Sequence, residues 1–270
     1  MCFSVLLSVY KNESPAFLNQ CLVSVYYEQT VKPNEIVLVE DGKLTTELYS
    51  VVNDWQKRLG SIFKSVRLNE NCGLGDALNI GLQYCSYELV ARMDTDDIAH
   101  SNRFEKQLAV FHKHDIDVCG SWIIEFDKVQ SSTTGIRKLP EMHHNIERYA
   151  KFRCPVNHPS VMYKKSSVNF AGGYERMIWF EDYYLWARML IKGAKFYNIQ
   201  EPLLSMRAGS GQLERRSGFS YVKKELRFLL KLREIGFLNY LQFLVVVGLR
   251  LSIRLMPRVI ISKVYKLLRG

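Results

Sequence analysis

The sequence of 270 residues lacks the patterns that identify several classes of protein. Its six cysteines form no C-x-x-C pair, which argues against zinc ribbons and dithiol redox motifs. The turn after the first predicted strand, VYKNES, contains no glycine, whereas dinucleotide fingerprints and P-loops need glycines close to the phosphates. The N-terminus has no basic region followed by an apolar run and a cleavage site, so no signal peptide is expected.

Positive charge is concentrated at the C-terminal end. Residues 219–270 contain eleven Lys or Arg and two Glu, and they account for +9 of the net charge of +10. Tyr221–Ile235 and Val259–Leu268 each alternate apolar and basic residues at helical spacing. Such alternation on helices is not typical of a nucleic-acid interface, so no nucleic-acid partner is expected.

The apolar run in the C-terminal segment is too short to cross a membrane. This uncharged run, Ile235–Leu249, has 15 residues, whereas a span needs about 20. We therefore predict that 216–270 forms a basic amphipathic helical tail that lies on an anionic membrane surface. The alternative is that these helices pack on the body of the protein or form a dimer interface.

Strand and helix patterns alternate through the first hundred residues. Strands are predicted at Phe3–Val9, Glu35–Glu40, Ser65–Leu68 and from Leu89, with helices between them. This alternation predicts an α/β fold with a parallel sheet covered on both faces. Ligands of such sheets bind beyond the carboxyl ends of the strands. One crevice should therefore collect three polar segments: Tyr10–Glu13, Asp41 and Asp94–Asp97.

The stretch LVARMDTDDI combines a buried strand with an acidic turn. Asp94, Asp96 and Asp97 are three carboxylates in four residues, and like charges that close repel one another. A divalent cation bound to a phosphate would relieve this repulsion. The alternative is a solvated acidic turn in which Asp97 caps the next helix.

The second half of the chain gives a less regular pattern. A helix is predicted at Arg103–His114, and short strands at Ile116–Gly120, Trp122–Phe126 and Val161–Tyr163. Ser131–Pro140 is predicted to be a polar loop. Glu181 and Asp182 open an aromatic helix, where an acid commonly caps exposed amides.

Seven motifs in order make the chain resemble the family 2 glycosyltransferases of the GT-A fold. They are SVYKNE at Ser8–Glu13, EDG at Glu40–Gly42, NCGLGDALNIG at Asn71–Gly81, ARMDTDD at Ala91–Asp97, RFEKQ at Arg103–Gln107, NHPSVMY, and FED followed by YYLW. The resemblance covers roughly Ser4 to Gly211 and is closest to bacterial enzymes of O-antigen or exopolysaccharide synthesis. It implies a Rossmann-like, mixed but mostly parallel sheet flanked by helices, with a catalytic domain at 1–215. The nucleotide-sugar half would be about 1–100 and the acceptor half about 101–215.

The resemblance also implies roles for individual residues. Asp41 would pair with the uracil edge, Asp96 would bind Mn²⁺ or Mg²⁺, and Asp182 would be the general base. The full set implied for nucleotide-sugar binding is Val9, Tyr10, Glu13, Asp41, Asn71, Gly73, Asn79, Arg92, Asp94, Thr95 and Arg207. Acceptor-side residues would be His158, Glu181 and Trp179, although His158 before Pro159 could equally be structural.

One segment departs from the family pattern. Many relatives add a histidine to the metal or diphosphate from a C-terminal loop, but Leu203–Gln212 contains none. Arg207 could supply a fixed positive charge to the diphosphate instead. The third contact to the metal is therefore left open.

The implied activity is inverting, metal-dependent transfer of a hexose, glucose or galactose, from a UDP-sugar. The acceptor would be a polyprenyl-diphosphate-linked saccharide, the product a β-linkage, and the location the cytoplasmic face of the cell membrane. One alternative is a sugar nucleotidyltransferase, although such enzymes tend to have a glycine-rich first loop. The other is a membrane-surface adaptor with an inactive transferase fold.

Overall fold

A nine-stranded mixed sheet forms the centre of the protein, described here from a computed structural model over residues 1–127, 130, 132–208 and 219–255. The strands run in the spatial order β3-β2-β1-β4-β8-β6-β9-β5, with β7 paired to β6. Their bounds are β1 Phe3–Val9, β2 Glu35–Glu40, β3 Phe63–Arg67, β4 Leu89–Arg92, β5 Ile98–Ala99, β6 Val118–Phe126, β7 Thr133–Arg137, β8 Met162–Lys164 and β9 Phe196–Arg207.

Helices cover both faces of this sheet. They are α1 Pro15–Tyr26, α2 Thr46–Leu59, α3 Leu74–Tyr84, α4 Arg103–Lys113, α5 His143–Ala150, α6 Lys165–Phe170, α7 Glu181–Ile191, α8 Phe219–Glu234 and α9 Tyr240–Leu255. The side chains of β1 alternate between two hydrophobic clusters, with Leu6 in one and Val5 and Leu7 in the other. This alternation follows from the two-residue period of a strand that is buried on both faces.

The first half of the sheet is parallel, as the strand–helix alternation predicts. β1 pairs in parallel with β2 and β4, and β2 pairs in parallel with β3. Helices return the chain between these strands, and their starts agree with local signals. Pro15 is the first residue of α1, and the Thr45 side chain accepts a hydrogen bond of 3.3 Å from the Leu48 amide at the start of α2.

Three predictions for the second half of the sheet are wrong. The segment Ser131–Pro140 was expected to be a loop, but it contains β7, which pairs antiparallel with β6. The two strands predicted at Ile116–Gly120 and Trp122–Phe126 form one strand, β6, whose pairing with β9 has register shifts near Trp122. Residues 203–207 of the expected loop Leu203–Gln212 are the end of β9. β9 pairs with strands that are distant in sequence, whereas β7 pairs with its chain neighbour β6 and resembles a loop because its residues are mostly polar and none is buried.

The first helix of the C-terminal segment packs on the body. Phe228 of α8 is fully buried, stacks on Phe180 at 4.5 Å between ring centroids and lies 4.9 Å from the Tyr183 ring. The Arg250 side chain of α9 pairs with Glu225 at 2.9 Å. For α8, the alternative of packing on the body therefore holds. The predicted boundary at 215/216 and the predicted helix Val259–Leu268 lie outside the described residues.

Candidate functional site

A cleft of about 530 Å³ opens beyond the carboxyl ends of the parallel strands. It is lined by Ser8, Tyr10, Asn12, Glu13, Ser14, Phe17, Asp41, Asn71, Gly73, Leu74, Asp94, Thr95 and Asp96. These residues come from the turns that follow β1, β2, β3 and β4 and from the start of α1 and α3. The parallel registry brings the turns together, as expected for an open α/β sheet.

The Asp41 carboxylate accepts hydrogen bonds that fix one wall of this cleft. One oxygen accepts hydrogen bonds from the Asn71 side chain at 2.9 Å and the Gly73 amide at 3.1 Å. The other accepts from the Cys72 amide at 2.8 Å and faces the Cys72 thiol at 3.4 Å. Burial, then the Asp41 carboxylate, raises the pKa of that thiol to about 11, so the thiol stays a donor. Because four donors occupy the carboxylate, a uracil imide would have to replace one of them, and the thiol is the weakest.

A hydrogen-bonded group fixes the turn after β1. Glu13 accepts from the Thr95 hydroxyl at 2.8 Å through one oxygen and from the Ser14 amide at 2.7 Å through the other. The Tyr10 ring is 46% exposed beside this group, at the mouth of the cleft. A partly exposed aromatic ring next to a rigid carboxylate can stack against a base while the carboxylate accepts from hydroxyls.

Asp94 is neutralised by a buried arginine. The Arg92 guanidinium is 1% exposed and donates to both carboxylate oxygens of Asp94, one bond measuring 2.7 Å. Such a two-bond pair fixes the direction of the carboxylate. Arg92 thus holds the Asp94 carboxylate in place, and Asp94 is the member of the pair that lines the cleft.

Asp96 and Asp97 differ in what they face. Burial, followed by the charges of Asp94 and Glu13, raises the pKa of Asp96 to about 6. Burial, followed by the charges of Asp94 and Asp96, also raises the pKa of Asp97 well above its ordinary value. Asp97 accepts a 2.9 Å hydrogen bond from the Arg207 amide, and its other oxygen is buried without a hydrogen bond. Asp97 therefore joins the acidic turn to β9, whereas Asp96 faces the cleft.

Arg207 lies at the end of β9 against the acidic turn. Its guanidinium donates to the Asp96 carbonyl at 3.2 Å and to Gln20 at 3.2 Å. The guanidinium carbon lies 3.7 Å from the centroid of the Phe17 ring and 4.7 Å from that of Phe126. These contacts fix the Asp96 backbone and bring a positive charge to the edge of the cleft.

The donor set fits a divalent cation that shares its ligands with a phosphate. Within the ranges described, no three or more His, Cys, Asp and Glu side chains are arranged to hold an ion by themselves. Mg²⁺ in nucleotide sites typically takes one or two carboxylates and completes its shell with phosphate oxygens and water. Asp96, a hard oxygen ligand whose pKa is raised by burial and then by neighbouring acids, matches that arrangement.

A second cavity of about 210 Å³ adjoins the cleft. Both share Asn71, Gly73 and Leu74, and the second is also lined by Arg176, Ile178 and Glu181, among others. Burial, then the charge of Asp182, raises the pKa of Glu181. Asp182 follows in the first turn of α7, with one oxygen 3.6 Å from the Cys154 sulfur.

Of the predicted acceptor-side residues, Glu181 lines this second cavity, whereas Trp179 and His158 are not among its lining residues. Trp179 is 44% exposed, and it is the one non-glycine residue with a positive φ, +77°, in the described part of the chain. His158 instead is partly buried, and its Nε2 is 2.9 Å from the Tyr174 hydroxyl. Burial and the nearby Arg92 charge lower its pKa well below the ordinary value, so the ring is neutral. This geometry fits the alternative prediction for His158, a structural role before Pro159.

The structure divides most of the predicted site residues into two groups, and Asp182, His158 and Trp179 belong to neither. Those that line the cleft or the adjoining cavity are Tyr10, Glu13, Asp41, Asn71, Gly73, Asp94, Thr95, Asp96 and Glu181. Those that position them are Val9, whose carbonyl accepts from the Asp41 amide, together with Asn79, Arg92 and Arg207. The Asn79 amide binds the backbone of Tyr174, far from the nucleotide side.

Sequence reasoning missed several residues that line the cavities. Asn12 and Ser14 lie inside the quoted KNES turn and could have been found from it. Phe17 has helical spacing typical of a core residue, and nothing local shows that its ring faces the cleft. Arg176 follows a Gly172-Gly173 pair, which was a signal for a shaped loop.

Comparison with known proteins decides the family. Residues 4–169 match the family described as Glycosyl transferase family 2. The chain belongs to glycosyl transferase family 2. The resemblance seen in its motifs is confirmed, and the protein is a glycosyltransferase.

Two curated relatives support this membership, and one solved structure shares the fold. An Escherichia coli protein, "UDP-Gal:alpha-D-GlcNAc-diphosphoundecaprenol beta-1,3-galactosyltransferase", is 37% identical over 265 residues, covering 98% of this chain and 95% of that protein. The Erwinia amylovora "Amylovoran biosynthesis glycosyltransferase AmsE" is 38% identical, with 98% of each chain covered. The mannosyltransferase PcManGT from Pyrobaculum calidifontis, solved with GDP-Man and Mn²⁺, superposes with a TM-score of 0.63 at 14% identity, covering 91% of this chain and 68% of that one. That likeness confirms the GT-A fold.

Proposed function

We propose that this glycosyltransferase moves a hexose, galactose or glucose, from a UDP-sugar to a saccharide linked through a diphosphate to a polyprenyl lipid. The product would carry a β-linkage and serve surface polysaccharide synthesis. The observation that carries the proposal is the nucleotide-sized cleft that ends at Asp96 and continues into a sugar-sized cavity bordered by Glu181. The E. coli relative, named for transfer of galactose from UDP-Gal, supports the donor and acceptor class.

The reaction is a single displacement at the anomeric carbon. An acceptor hydroxyl forms a bond to that carbon while the bond to the diphosphate oxygen breaks, and the hydroxyl proton moves to a carboxylate. We propose Asp182 as this base, which is the role implied by the family. Attack from the side opposite the leaving group inverts the configuration, so an α-linked donor gives a β-glycoside.

The residues of the cleft support departure of the nucleotide. A divalent ion held by Asp96 and the donor diphosphate, Mn²⁺ or Mg²⁺, would supply positive charge to the leaving group. Arg92 keeps Asp94 in a fixed direction, and Glu13 binds Thr95 at 2.8 Å, so the acidic turn is rigid before the donor enters. Arg207 adds a fixed positive charge at the edge of the cleft.

We further propose that the protein works on the cytoplasmic face of the cell membrane, where a polyprenyl-linked acceptor would be presented. In the described chain, no helix has both the length and the hydropathy of a membrane span. The outer face of α9 is exposed and apolar, with Leu241 at 73%, Val245 at 52% and Leu249 at 55% exposure. An exposed apolar face beside a basic C-terminal segment supports interfacial binding.

Titration with UDP by calorimetry, with and without Mn²⁺, tests the donor proposal. We expect binding to need both Mn²⁺ and Asp96, so that Asp96→Asn binds UDP weakly in either buffer. A screen of UDP- and GDP-sugars for metal-dependent hydrolysis, read by mass spectrometry, then identifies the sugar. Absence of any UDP binding would favour the inactive-adaptor alternative.

Two single substitutions test the base. Asp182→Asn should lower turnover by about 10²–10⁴-fold while UDP affinity is unchanged, because only proton transfer is lost. Glu181→Gln, the adjacent acid, is the matched comparison and should have the smaller effect on turnover. If Glu181→Gln has the larger effect, the base is Glu181, which lines the cavity directly.

A further inference from the structure

The proposed reaction does not assign an occupant to the cavity of about 210 Å³ that continues from the donor cleft. This cavity shares Asn71, Gly73 and Leu74 with that cleft, so a group bound in it would lie beside the donor sugar. Pockets for drug-sized ligands measure about 300–1,000 Å³, so this space suits one ring rather than an oligosaccharide or a diphosphate-linked unit.

The outer wall of the cavity is the loop of residues 171–179, and hydrogen bonds fix the base of this loop. The Asn79 side chain pairs with both backbone groups of Tyr174, donating to the carbonyl at 2.6 Å and accepting from the amide at 2.7 Å. Arg188 of α7 donates to the carbonyls of Ala171 at 2.7 Å and Gly173 at 2.6 Å. The wall is therefore held by side chains on α3 and α7 before any ligand arrives.

The side chains at the tip of this loop face outward instead of packing. Glu175 pairs with Arg188 at 2.9 Å, but the neighbouring Arg176 is exposed and has no hydrogen-bond or ion-pair partner among the residues described. Ile178 is 54% and Trp179 44% exposed, and Trp179 has a left-handed backbone. A strained, exposed aromatic beside a cavity indicates function more than stability.

The lining is mixed in chemistry. Arg176 offers hydrogen-bond donors, the carboxylates of Asp76 and Glu181 offer acceptors, and Ile178 offers an apolar surface. A phosphate would be repelled by the two acids, whereas a pyranose ring presents hydroxyls that donate and accept together with apolar C–H faces. The cavity therefore matches a neutral sugar.

We propose that this cavity binds the terminal pyranose of the acceptor and that Arg176 is the side chain that selects it. The inference rests on the proposed function, because it assumes that an acceptor sugar is present. Arg176 lines this cavity and not the donor cleft, so its replacement should affect the acceptor and leave the donor unaffected.

Steady-state kinetics with an N-acetylglucosaminyl diphosphate carrying a short alkyl chain tests this proposal. Arg176→Ala should raise the KM for that acceptor by about 10–100-fold, the range expected for loss of a charge-assisted hydrogen bond. The acceptor KM of Arg176→Lys should lie between that of Arg176→Ala and that of the wild type. Arg58→Ala, at an exposed arginine on α2, is the matched control and should leave the acceptor KM unchanged.

Two donor measurements separate this inference from the proposed function. In Arg176→Ala, UDP affinity with Mn²⁺ and the rate of UDP-sugar hydrolysis without acceptor should both equal those of the wild type. An unchanged acceptor KM, or a loss of UDP affinity together with acceptor affinity, overturns the assignment of Arg176. If the wild type itself neither binds UDP nor hydrolyses UDP-sugars, the proposed function fails and the acceptor assignment fails with it.

Discussion

We predict that the acidic turn, which would bind a cation, lowers the free energy of unfolding of the metal-free protein. Burial and the charges of Asp94 and Glu13 raise the pKa of Asp96 from the ordinary value of 3.8 to about 6. That difference corresponds to about 3 kcal/mol of unfavourable free energy for the ionised side chain at pH 7. Because the side chain is partly exposed, we expect about 1–3 kcal/mol in practice.

Asp96→Asn should therefore raise the free energy of unfolding of the metal-free protein by about 1–3 kcal/mol at pH 7. For a chain of this size, the melting temperature should rise by about 2–4 °C per kcal/mol. The pKa is raised by folding, so the native state binds the proton more readily, and wild-type stability falls as pH rises from about 4 to about 6. The advantage of the variant should shrink below pH 4 and stay constant above pH 6.

Thermal melts in chelator at pH 4, 5, 6 and 7 measure this difference. Asp54→Asn, at an exposed acid on α2, is the matched control and should change stability by less than about 0.5 kcal/mol. Adding Mn²⁺ and UDP should stabilise the wild type and have much less effect on Asp96→Asn. An Asn variant that melts at or below the wild-type temperature in chelator at pH 7 would refute the reasoning.

Two further predictions concern the C-terminal helices. Phe228→Ala should lower the free energy of unfolding by about 3–5 kcal/mol in urea melts, because this fully buried ring of α8 stacks on Phe180. An unchanged midpoint would mean that α8 does not pack on the body. Leu241→Gln with Val245→Gln should weaken co-sedimentation with anionic liposomes but leave the melting temperature unchanged, because both side chains are exposed. Full retention of liposome binding would move the membrane contact elsewhere.

The cleft at the carboxyl ends of the parallel strands was predictable because its signals are local. Apolar runs such as Glu35–Glu40 end at polar turns, and parallel strands must align their carboxyl ends. That rule predicts that Tyr10, Asp41 and Asp96 meet in one cleft, and all three line it. What the rule does not contain is the hydrogen bonding inside the cleft, such as the four donors that occupy Asp41.

The second half of the sheet was less predictable, because β9 pairs with strands that are distant in sequence and β7 lacks the apolar pattern of a strand. β7 and β9 are polar or irregular in sequence and become strands by pairing with β6. The Asn79 side chain lies in a motif associated with the nucleotide, but its hydrogen bonds reach Tyr174, 95 residues away. Contacts of this range leave no periodic trace in the sequence.

The sequence alone determined the fold class, the family and the cluster of acids at the sheet edge, because hydrophobic period and motif order are properties of adjacent residues. The tertiary structure decided which acid faces the cleft and which one joins β9, since that depends on the Arg207 amide reaching Asp97 across 110 positions. It also decided that α8 belongs to the core and that Arg176 borders a second cavity. Both are outcomes of packing between segments that fold together only in three dimensions.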